Sequence, residues 1–420
     1  MNKLIKRKSI ELYLLSFCLV FLTACSSQDI QEKATEESDH SITIMTTDLN
    51  EAGNVNDYIE AAERATGLTI NLVACPGNGN GDIRQSRILS LLYAKDPSVD
   101  VITVNDEMMS SLLGGSNCLE PLNDVMTDDI VNEFPADYLK SMSIKDGNIY
   151  SVPYFTDILC FWVNKKYLSE AGLKSISNKQ DFVKFINGHY GNGVYGYGGA
   201  WEKTYVYNEI GLFINMFGGD IYNWSNPKTR EAVTFMHSLI NNGETPLDIM
   251  ADQYDQMVQK FINGKYGCIF VYSGELTNFV ALDIYNDNQI TIEPLPDFGQ
   301  NTTYIACWNY VLNSASQHKE DAKIFLQYAA SREGQVNYAK AMKKIPTRED
   351  ARQEVANDVV GFKDVNDYMS HTRLLARPIS SDSLQVIEAE GQLFQKYIFN
   401  EYTLDEYCNK MQELVDSKLK

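Results

Sequence analysis

The stretch from Asp146 to Gly172, DGNIYSVPYFTDILCFWVNKKYLSEAG, decides the fold of this chain. It begins with Asp146-Gly147, a pair that favours a tight turn between two strands. The apolar and aromatic run that follows is broken by Pro153, which has no N–H for a sheet ladder and therefore marks a strand edge or a crossing point. Residues 161–163 then predict a buried strand, and residues 165–171 predict a short helix that the final glycine ends. A segment that leaves one sheet, bends and enters another is what a two-lobed protein needs at its hinge.

The residues before this stretch predict alternating strands and helices. Ile42 and Ile44 alternate with threonines as in a strand, residues 55–62 carry the apolar spacing of an amphipathic helix, and residues 68–72 alternate again. A strand, a helix and a second strand in this order favour a parallel sheet with ligand-accessible loops at the carboxyl ends of its strands. We therefore expect an α/β fold in which each lobe is a mostly parallel sheet flanked by helices.

Length and charge narrow the class of protein. A chain of 420 residues is too long for one ordinary domain, which again favours two lobes. Its hydrophobic share of 44% and charged share of 22% are typical of a soluble globular protein. The formal net charge of −20 repels phosphate backbones, so we expect no nucleic-acid partner.

The first 25 residues have the pattern of an export signal. Four bases among the first eight residues are followed by the apolar run LYLLSFCLVFL and then by Leu22-Thr23-Ala24-Cys25. The run is too short to span a bilayer. The pattern resembles a lipoprotein signal peptide, which implies removal of residues 1–24 and acylation of Cys25, with palmitate as a lipid. Residues 25–40, polar and acidic, would then tether the folded part to the extracytoplasmic face of the cell membrane. A plain secretory signal with an accidental cysteine is the alternative.

Cysteines, histidines and glycines give no support for a cofactor. The six cysteines beyond the signal are scattered, with no C-x-x-C and no histidines at ligand spacing, so we expect no metal site. Their pairing stays open between disulfides and buried free thiols, and the length of the chain favours thiols. Gly191, Gly193 and Gly196 match G-x-G-x-x-G, but the motif follows a predicted helix and precedes an aromatic run, which is the wrong context for a dinucleotide. We expect a mobile, aromatic-rich loop there instead, and no cofactor.

Several short motifs follow one another in a recognisable order. Residues 146–172 match the pattern dGk.Y.vPy.....l.yNk.lf.eaGl, residues 217–220 are FGGD, residues 261–265 are FINGK, residues 319–335 are KEDAKIFLQYAASREGQ, and residues 345–347 are IPT. In this order the motifs resemble those of the extracellular solute-binding proteins of ABC importers, the maltose-binding-like family. The resemblance covers nearly all of residues 41–420.

The resemblance implies a fold and a function together. The fold is a two-lobed periplasmic-binding-protein-like fold of type II, with lobe I formed by residues 41–154 and 304–372 and lobe II by residues 157–300 and 376–420. The implied function is that of a binding protein rather than an enzyme. A monomer would capture a small-molecule carbohydrate, with an oligosaccharide favoured, and hand it to ABC permease subunits in the membrane.

A sugar receptor needs aromatic planes for the C–H face of the ring and polar side chains for its hydroxyls. Asp106 follows a buried parallel strand, at the sheet edge where crevices form, and Asp48 follows the first strand. In the related family a stacking ring and its neighbouring acid lie at the positions of Trp201 and Glu202. The other candidates are Tyr154 and Asp157 in the hinge, Tyr272 and Glu275 at the end of a strand, Trp308 within the strand that returns through the hinge, and Arg377, whose planar fork suits a carboxylate or a pair of hydroxyls.

Other functions stay open from the residues alone. A polyamine or a peptide is the alternative solute, and a sensor subunit for a membrane kinase uses the same fold. A surface glycoside hydrolase or lyase is the alternative from another class, since acid pairs can form only in the fold. The sequence contains no G-x-S-x-G, H-E-x-x-H or Walker motif, and therefore predicts no catalytic constellation.

Overall fold

The stretch that predicts the hinge forms a tight turn, one long strand and a short helix. In the computed structural model, which describes residues 40–76, 81–114, 117–378 and 382–419, Asp146 and Gly147 have φ angles of 52° and 79°, as a primed hairpin turn requires. Beyond this turn the chain forms a strand from Val152 to Asn164 and then a helix from Lys165 to Glu170. The predicted turn, strand and helix are thus confirmed. The signal peptide, Cys25 and all of the predicted tether before residue 40 lie outside the described residues.

Strands and helices alternate along the chain. The strands are β1 (Ser41–Thr46), β2 (Thr69–Ala74), β3 (Val101–Asn105), β4 (Ile144–Lys145), β5 (Asn148–Ile149), β6 (Val152–Asn164), β7 (Tyr195–Tyr197), β8 (Tyr266–Tyr272), β9 (Ile290–Glu293), β10 (Thr302–Leu312), β11 (Ile345–Pro346) and β12 (Arg373–Ala376). The helices are α1 (Val55–Thr66), α2 (Gly81–Tyr93), α3 (Asp106–Gly114), α4 (Asp128–Val131), α5 (Ala136–Met142), α6 (Lys165–Glu170), α7 (Lys179–Ile186), α8 (Tyr207–Phe217), α9 (Pro227–Asn241), α10 (Tyr254–Ile262), α11 (Leu276–Ala281), α12 (Lys319–Ala330), α13 (Arg332–Met342), α14 (Glu349–Val355), α15 (Phe362–Ser370), α16 (Ser383–Ile398) and α17 (Leu404–Lys418).

One mixed sheet runs through the described part of the chain in the order β2-β1-β3-β10-β6-β8-β7, with β11 and β9 on β6 and β12 on β10. The parallel pairs are β1 with β2 and β3, β7 with β8, and β10 with β12, and the first of these is the one that the strand-helix-strand order predicts. The central pairs of β10 with β3 and β6, and of β6 with β8, are antiparallel. The sheet is therefore more mixed than the sequence predicted, because the strands that join the two halves run in opposite directions.

The long strand β6 divides two hydrophobic cores. Val152, Tyr154 and Phe155 belong to a core with residues of β1, α1, α12 and α13, whereas residues from Ile158 onward belong to a core with residues of α7, α8 and β8. We call the half built on β1–β3 the first lobe and the half built on β7–β9 the second lobe. The chain is thus two-lobed, with β6 and β10 passing between the lobes. The register of β6 against β10 skips one residue at Tyr154, beside the proline that predicted the crossing.

The helix α15 packs in the second lobe, although the sequence assigned its residues to the first. Phe362 and Val365 are fully buried in the second core, and the Tyr368 hydroxyl donates to the Leu159 carbonyl at 3.2 Å. A helix between two crossing strands can cover either lobe, and sequence periodicity does not distinguish the two.

The glycine-rich segment begins with an exposed turn at Gly191 and Gly193 and continues as a short strand. Its residues 195–197 form β7, parallel to β8, and Tyr197 is fully buried. A Cβ added at Gly196 would lie 2.3 Å from the Ile186 Cα atom, so this glycine permits close packing against α7. The expectation of a loop is therefore wrong for residues 195–197, because a small residue serves here to bring two backbones together.

Two helices begin with side-chain caps. The Asn226 side chain accepts from the Lys228 amide at 2.8 Å, with Pro227 in the first turn, and Thr403 and Glu406 form a reciprocal capping box. The six cysteines after residue 40 are all buried, and those at positions 75, 160, 268, 307 and 408 are free thiols. Within the described ranges, no helix combines the length and the apolar content needed to cross a bilayer.

Candidate functional site

A cavity of about 790 Å³ lies where the crossing strands meet the two lobes. The first lobe lines it with residues 47, 50–52, 75, 84–86, 105, 107 and 155. The second lobe lines it with residues 204, 205, 207, 208, 254, 255, 258, 259, 262, 272, 274, 275, 278, 281 and 282. Further lining residues come from β10, from the chain after α13 and β12, and from the start of α16. Its volume lies within the range of roughly 300–1,000 Å³ that is usual for small-molecule sites.

Trp308 supplies the largest ring among the residues that line the cavity. It lies on β10 opposite Phe155 of β6, with ring centroids 6.0 Å apart and planes 12° from parallel. The Arg84 guanidinium carbon lies 5.3 Å from the centroid of the Trp308 ring. Trp308 is partly exposed, whereas Trp162, Trp201 and Trp224 are fully buried. Among the four tryptophans, Trp308 is therefore the one that can stack on a ligand.

Arg377 connects the two lobes at the cavity wall. Its guanidinium forms ion pairs with Asp106 and Glu107 at the start of α3. It also donates to the Tyr207 hydroxyl of α8 at 2.6 Å, and its guanidinium carbon lies 5.7 Å from the centroid of the Tyr272 ring. Arg377 follows β12, so a side chain from a crossing segment holds the carboxyl edge of β3 against α8.

Two buried carboxylates face the cavity from the second-lobe side. Asp157 accepts from the Ser273 hydroxyl at 3.0 Å and from the Gly274 amide at 2.7 Å. Burial raises the pKa of Asp157 to about 6, although these hydrogen bonds oppose the rise. Glu275 accepts from the Asn278 amide at 2.8 Å, and burial raises its pKa to about 7. Both groups are acceptors when ionised and suit the donors of a ligand.

Lys344 is the buried cation at the first-lobe side. Its ammonium pairs with Glu51, lies 3.7 Å from an Asp48 oxygen, and lies 4.3 Å from the centroid of the Phe155 ring. The pKa of Lys344 is raised despite burial, because the charges of Glu51 and Asp48 outweigh it. The lysine therefore fixes the loop after β1 against the wall that carries Phe155.

The structure brings five of the ten predicted site residues to the cavity. Tyr272, Glu275, Trp308 and Arg377 line it, and so does Asp157, which the sequence placed at the hinge. The Tyr272 hydroxyl donates to the Asn208 side-chain oxygen at 2.8 Å, so the two residues form one polar surface.

Trp201 lies in the core of the second lobe instead of on the cavity wall. It is fully buried, packs edge-to-face on Phe394 at 5.3 Å, and donates through Nε1 to Glu209 at 3.0 Å. Burial raises the pKa of Glu209 to about 8, against the hydrogen bond from Ala200. Glu202, next in the chain, caps the following turn by accepting from the Thr204 amide at 2.8 Å and does not line the cavity. The chain after β7 thus passes through the second core at Trp201 and lines the cavity only from residue 204 onward.

The other three predicted residues are buried behind the lining. Asp48 accepts from the Tyr338 hydroxyl at 3.1 Å, and Asp106 is held by Arg377. Tyr154 stacks on Tyr310 with centroids 4.1 Å apart, inside the first core. Burial raises the pKa of both Asp48 and Asp106 to about 6, and the paired cation opposes the rise in each case. These residues support the wall without forming it.

Sequence reasoning missed several lining residues. Tyr205, Tyr207 and Asn208 follow the glycine-rich segment by only a few positions and take the place that Trp201 was expected to fill. Arg84 on α2 and Lys344 ahead of the Ile-Pro-Thr motif carried no sequence signal, because an isolated base has no distinguishing pattern. The two tyrosines carry a sequence signal, because they are aromatic residues in the same stretch as Trp201 and can stack on a ligand as well.

Comparison with known proteins gives a family and a fold. A family model described as bacterial extracellular solute-binding protein matches residues 47–336. No curated protein matches the sequence significantly.

Solved structures of sugar complexes share the fold. Maltose-bound MalE3 of T. maritima has a TM-score of 0.74 at 16% identity and covers 90% of this chain and 99% of its own. A solute-binding protein of Thermotoga lettingae with bound alpha-D-tagatose has a TM-score of 0.78 at 18% identity, covering 90% and 99%. The GacH receptor of Streptomyces glaucescens, solved unliganded and with acarbose, has a TM-score of 0.76 at 15% identity, covering 90% and 98%. Identities this low show a shared fold.

Proposed function

Because this chain belongs to the family of bacterial extracellular solute-binding proteins, we propose that it captures a carbohydrate for an ABC importer. An oligosaccharide is the favoured ligand, held in the cavity between the lobes. The similar folds carry maltose, tagatose and acarbose, which supports a sugar over a polyamine or a peptide.

One observation carries the proposal: aromatic and polar side chains of both lobes line the same cavity. Trp308 and Phe155 lie on the crossing strands, while Tyr207 and Tyr272 belong to the second lobe. Between them lie amides, hydroxyls and carboxylates such as Asp157, which suit the edge of a sugar ring. A ring stacked on Trp308 with hydroxyls on the second lobe would bind both halves at once.

Binding to both lobes gives a mechanism of capture. A ligand that contacts both lobes favours the closed arrangement by the difference between its affinities for the closed and open forms. The strands β6 and β10 and the segment at Arg377 are the connections about which such a change would turn. Permease subunits would then recognise the relative placement of the two lobe surfaces.

The proposal also includes the site of action. Acylation of Cys25 would anchor a monomer at the extracytoplasmic face of the cell membrane, with residues 25–40 as a tether. The family is one of extracellular binding proteins, which supports this location. The protein is proposed to bind its sugar without converting it.

A thermal-shift screen of the mature chain tests the proposal. Neutral, amino and acidic mono- to tetrasaccharides are tested beside polyamines and short peptides, and each hit is checked by calorimetry. A ligand at 100 times its Kd stabilises the fold by about 2.7 kcal/mol, which shifts the midpoint by several degrees. Stabilisation by a saccharide supports the proposal, and stabilisation by a polyamine or peptide alone would replace it. Chromatography of each hit after incubation detects cleavage, and a product formed in many turnovers would identify an enzyme.

A further inference from the structure

The charges that line the cavity restrict the class of saccharide it accepts. Of the lining residues, six are acidic and three are basic. The acids are Glu51, Glu107, Asp157, Asp255, Glu275 and Glu388, and the bases are Arg84, Lys344 and Arg377. The balance at the cavity itself, rather than over the whole surface, decides what a desolvated ligand group meets.

The two buried bases are already neutralised by carboxylates of the chain. Arg377, 6% exposed, directs its Nε and Nη2 groups to Asp106 and its Nη1 group to Glu107 and the Tyr207 hydroxyl. Lys344, 4% exposed, pairs with Glu51 and lies near Asp48. A planar guanidinium fork is the usual receptor for a carboxylate or a phosphate. Here the fork is occupied, so a ligand anion would have to displace a buried ion pair.

The third base is a weak receptor for an anion. Arg84 is half-buried and lies over the Trp308 ring. Its charge also acts on Asp255 of the second lobe, where it opposes the burial that raises the pKa of that carboxyl. A partly hydrated base with an acid nearby contributes little attraction at ordinary salt.

Two buried acids, in contrast, keep acceptor capacity for a ligand. Asp157 and Glu275 are each 9% exposed and line the cavity. In the described part of the chain their hydrogen-bond donors are neutral groups, namely Ser273 and Gly274 for Asp157 and Asn278 and Tyr254 for Glu275. Against the effect of burial, the charge of Lys344 lowers the pKa of Asp157, but that lysine forms its ion pairs with Glu51 and Asp48. A buried carboxylate accepts hydrogen bonds only, so it suits the hydroxyls of a neutral sugar or the ammonium of an amino sugar.

We propose that the cavity accepts neutral or amine-bearing saccharides and excludes acidic ones, with Asp157 and Glu275 accepting the ligand's donors. This inference rests on the proposed function, since it names the class of sugar bound at the same site. An acidic sugar would lose its hydration in a cavity where acids outnumber bases, and neither buried base is free to pair with it.

Calorimetry with trisaccharides that are matched in linkage and length but differ in charge tests the inference. Each 1,4-linked series contains the neutral trisaccharide, its amino counterpart and its uronic counterpart, all measured at pH 7.5 and 150 mM salt. We expect the uronic member to bind at least 100-fold more weakly than the neutral or amino member of its series. A uronic trisaccharide that binds within tenfold of its counterpart, or more tightly, would overturn the inference and leave carbohydrate capture intact. Failure of every saccharide in the wider screen would instead refute carbohydrate capture and the inference with it.

Two neutralising variants test the assigned acids. Asp157→Asn and Glu275→Gln should each weaken binding of the best neutral or amino saccharide at least tenfold. Glu231→Gln removes the same charge from an exposed residue that pairs with Lys179 and Lys228, and should change affinity less than twofold. If both cavity variants bind the saccharide as tightly as the wild type does, the assignment of Asp157 and Glu275 as ligand acceptors is wrong. Circular dichroism and melting curves establish that each variant is folded. If Asp157→Asn is unstable, Glu275→Gln still tests the claim for the other acid.

Discussion

Two tryptophans that the sequence placed together at the binding site should respond oppositely to truncation. Trp201→Ala opens a void in the second core and removes the Nε1 donor of the buried Glu209. The void alone should cost about 3–5 kcal/mol, and the lost hydrogen bond adds about 1 kcal/mol, because Ala200 and Tyr197 still donate to the carboxyl. Trp308→Ala removes a partly exposed ring that rests on Phe155, so its cost to folding should be about 1 kcal/mol. For ligand affinity the order reverses, with a loss of about 2 kcal/mol, or roughly thirtyfold, at Trp308.

Urea unfolding followed by circular dichroism measures the first quantity, and calorimetry with the strongest hit of the saccharide screen measures the second. Trp201→Phe serves as the milder core variant if the alanine variant does not fold. Ligand-induced change in tryptophan fluorescence should disappear in Trp308→Phe, because the other three tryptophans are buried. The reasoning fails if Trp308→Ala binds as the wild type does, or if Trp201→Ala unfolds at the wild-type urea concentration.

Three further perturbations follow from buried contacts. The pKa of Glu209, about 8 in the fold against a usual 4.5, means that folding takes up a proton between these values, so stability falls as pH rises through this range. Glu209→Gln should lack this loss, which reaches about 3 kcal/mol at pH 7, and equal pH slopes in urea titrations would contradict it. Arg377→Met leaves Asp106 and Glu107 buried without their cation and should cost about 3–5 kcal/mol of unfolding free energy, whereas an unchanged melting temperature would show that the ion pairs are dispensable. Gly196→Ala places a methyl group 2.3 Å from a backbone atom of α7 and should lower the melting temperature by several degrees. Ser90→Ala, at an exposed position of α2, is the control and should leave the melting temperature unchanged.

Local signals carried most of the fold prediction. Asp146-Gly147 and the interrupted apolar run after it each depend on a few adjacent residues, and each appears where expected. The antiparallel centre of the sheet and the placement of α15 depend on how distant segments pair, and no local pattern encodes that. Order along the chain, shared with a family, supplied the two-lobed arrangement that periodicity alone leaves open.

The site was harder to predict than the fold, because residues of the same type have different roles according to whether they are buried in a core or line the cavity. Trp201 and Trp308 carry the same ring, yet one fills a core and the other lines the cavity. Asp106 does lie at the carboxyl end of a buried strand, as expected, but Arg377 covers it. Such pairings join residues 271 positions apart, so they become visible only in three dimensions.

The crystal structure of the mature protein with the saccharide that stabilises it most is the decisive measurement. We expect a sugar ring over the Trp308 indole, with hydroxyls or an amine on Asp157 and Glu275 and further contacts to Tyr272. A sugar bound elsewhere on the surface, or one that contacts a single lobe, would contradict capture between the lobes.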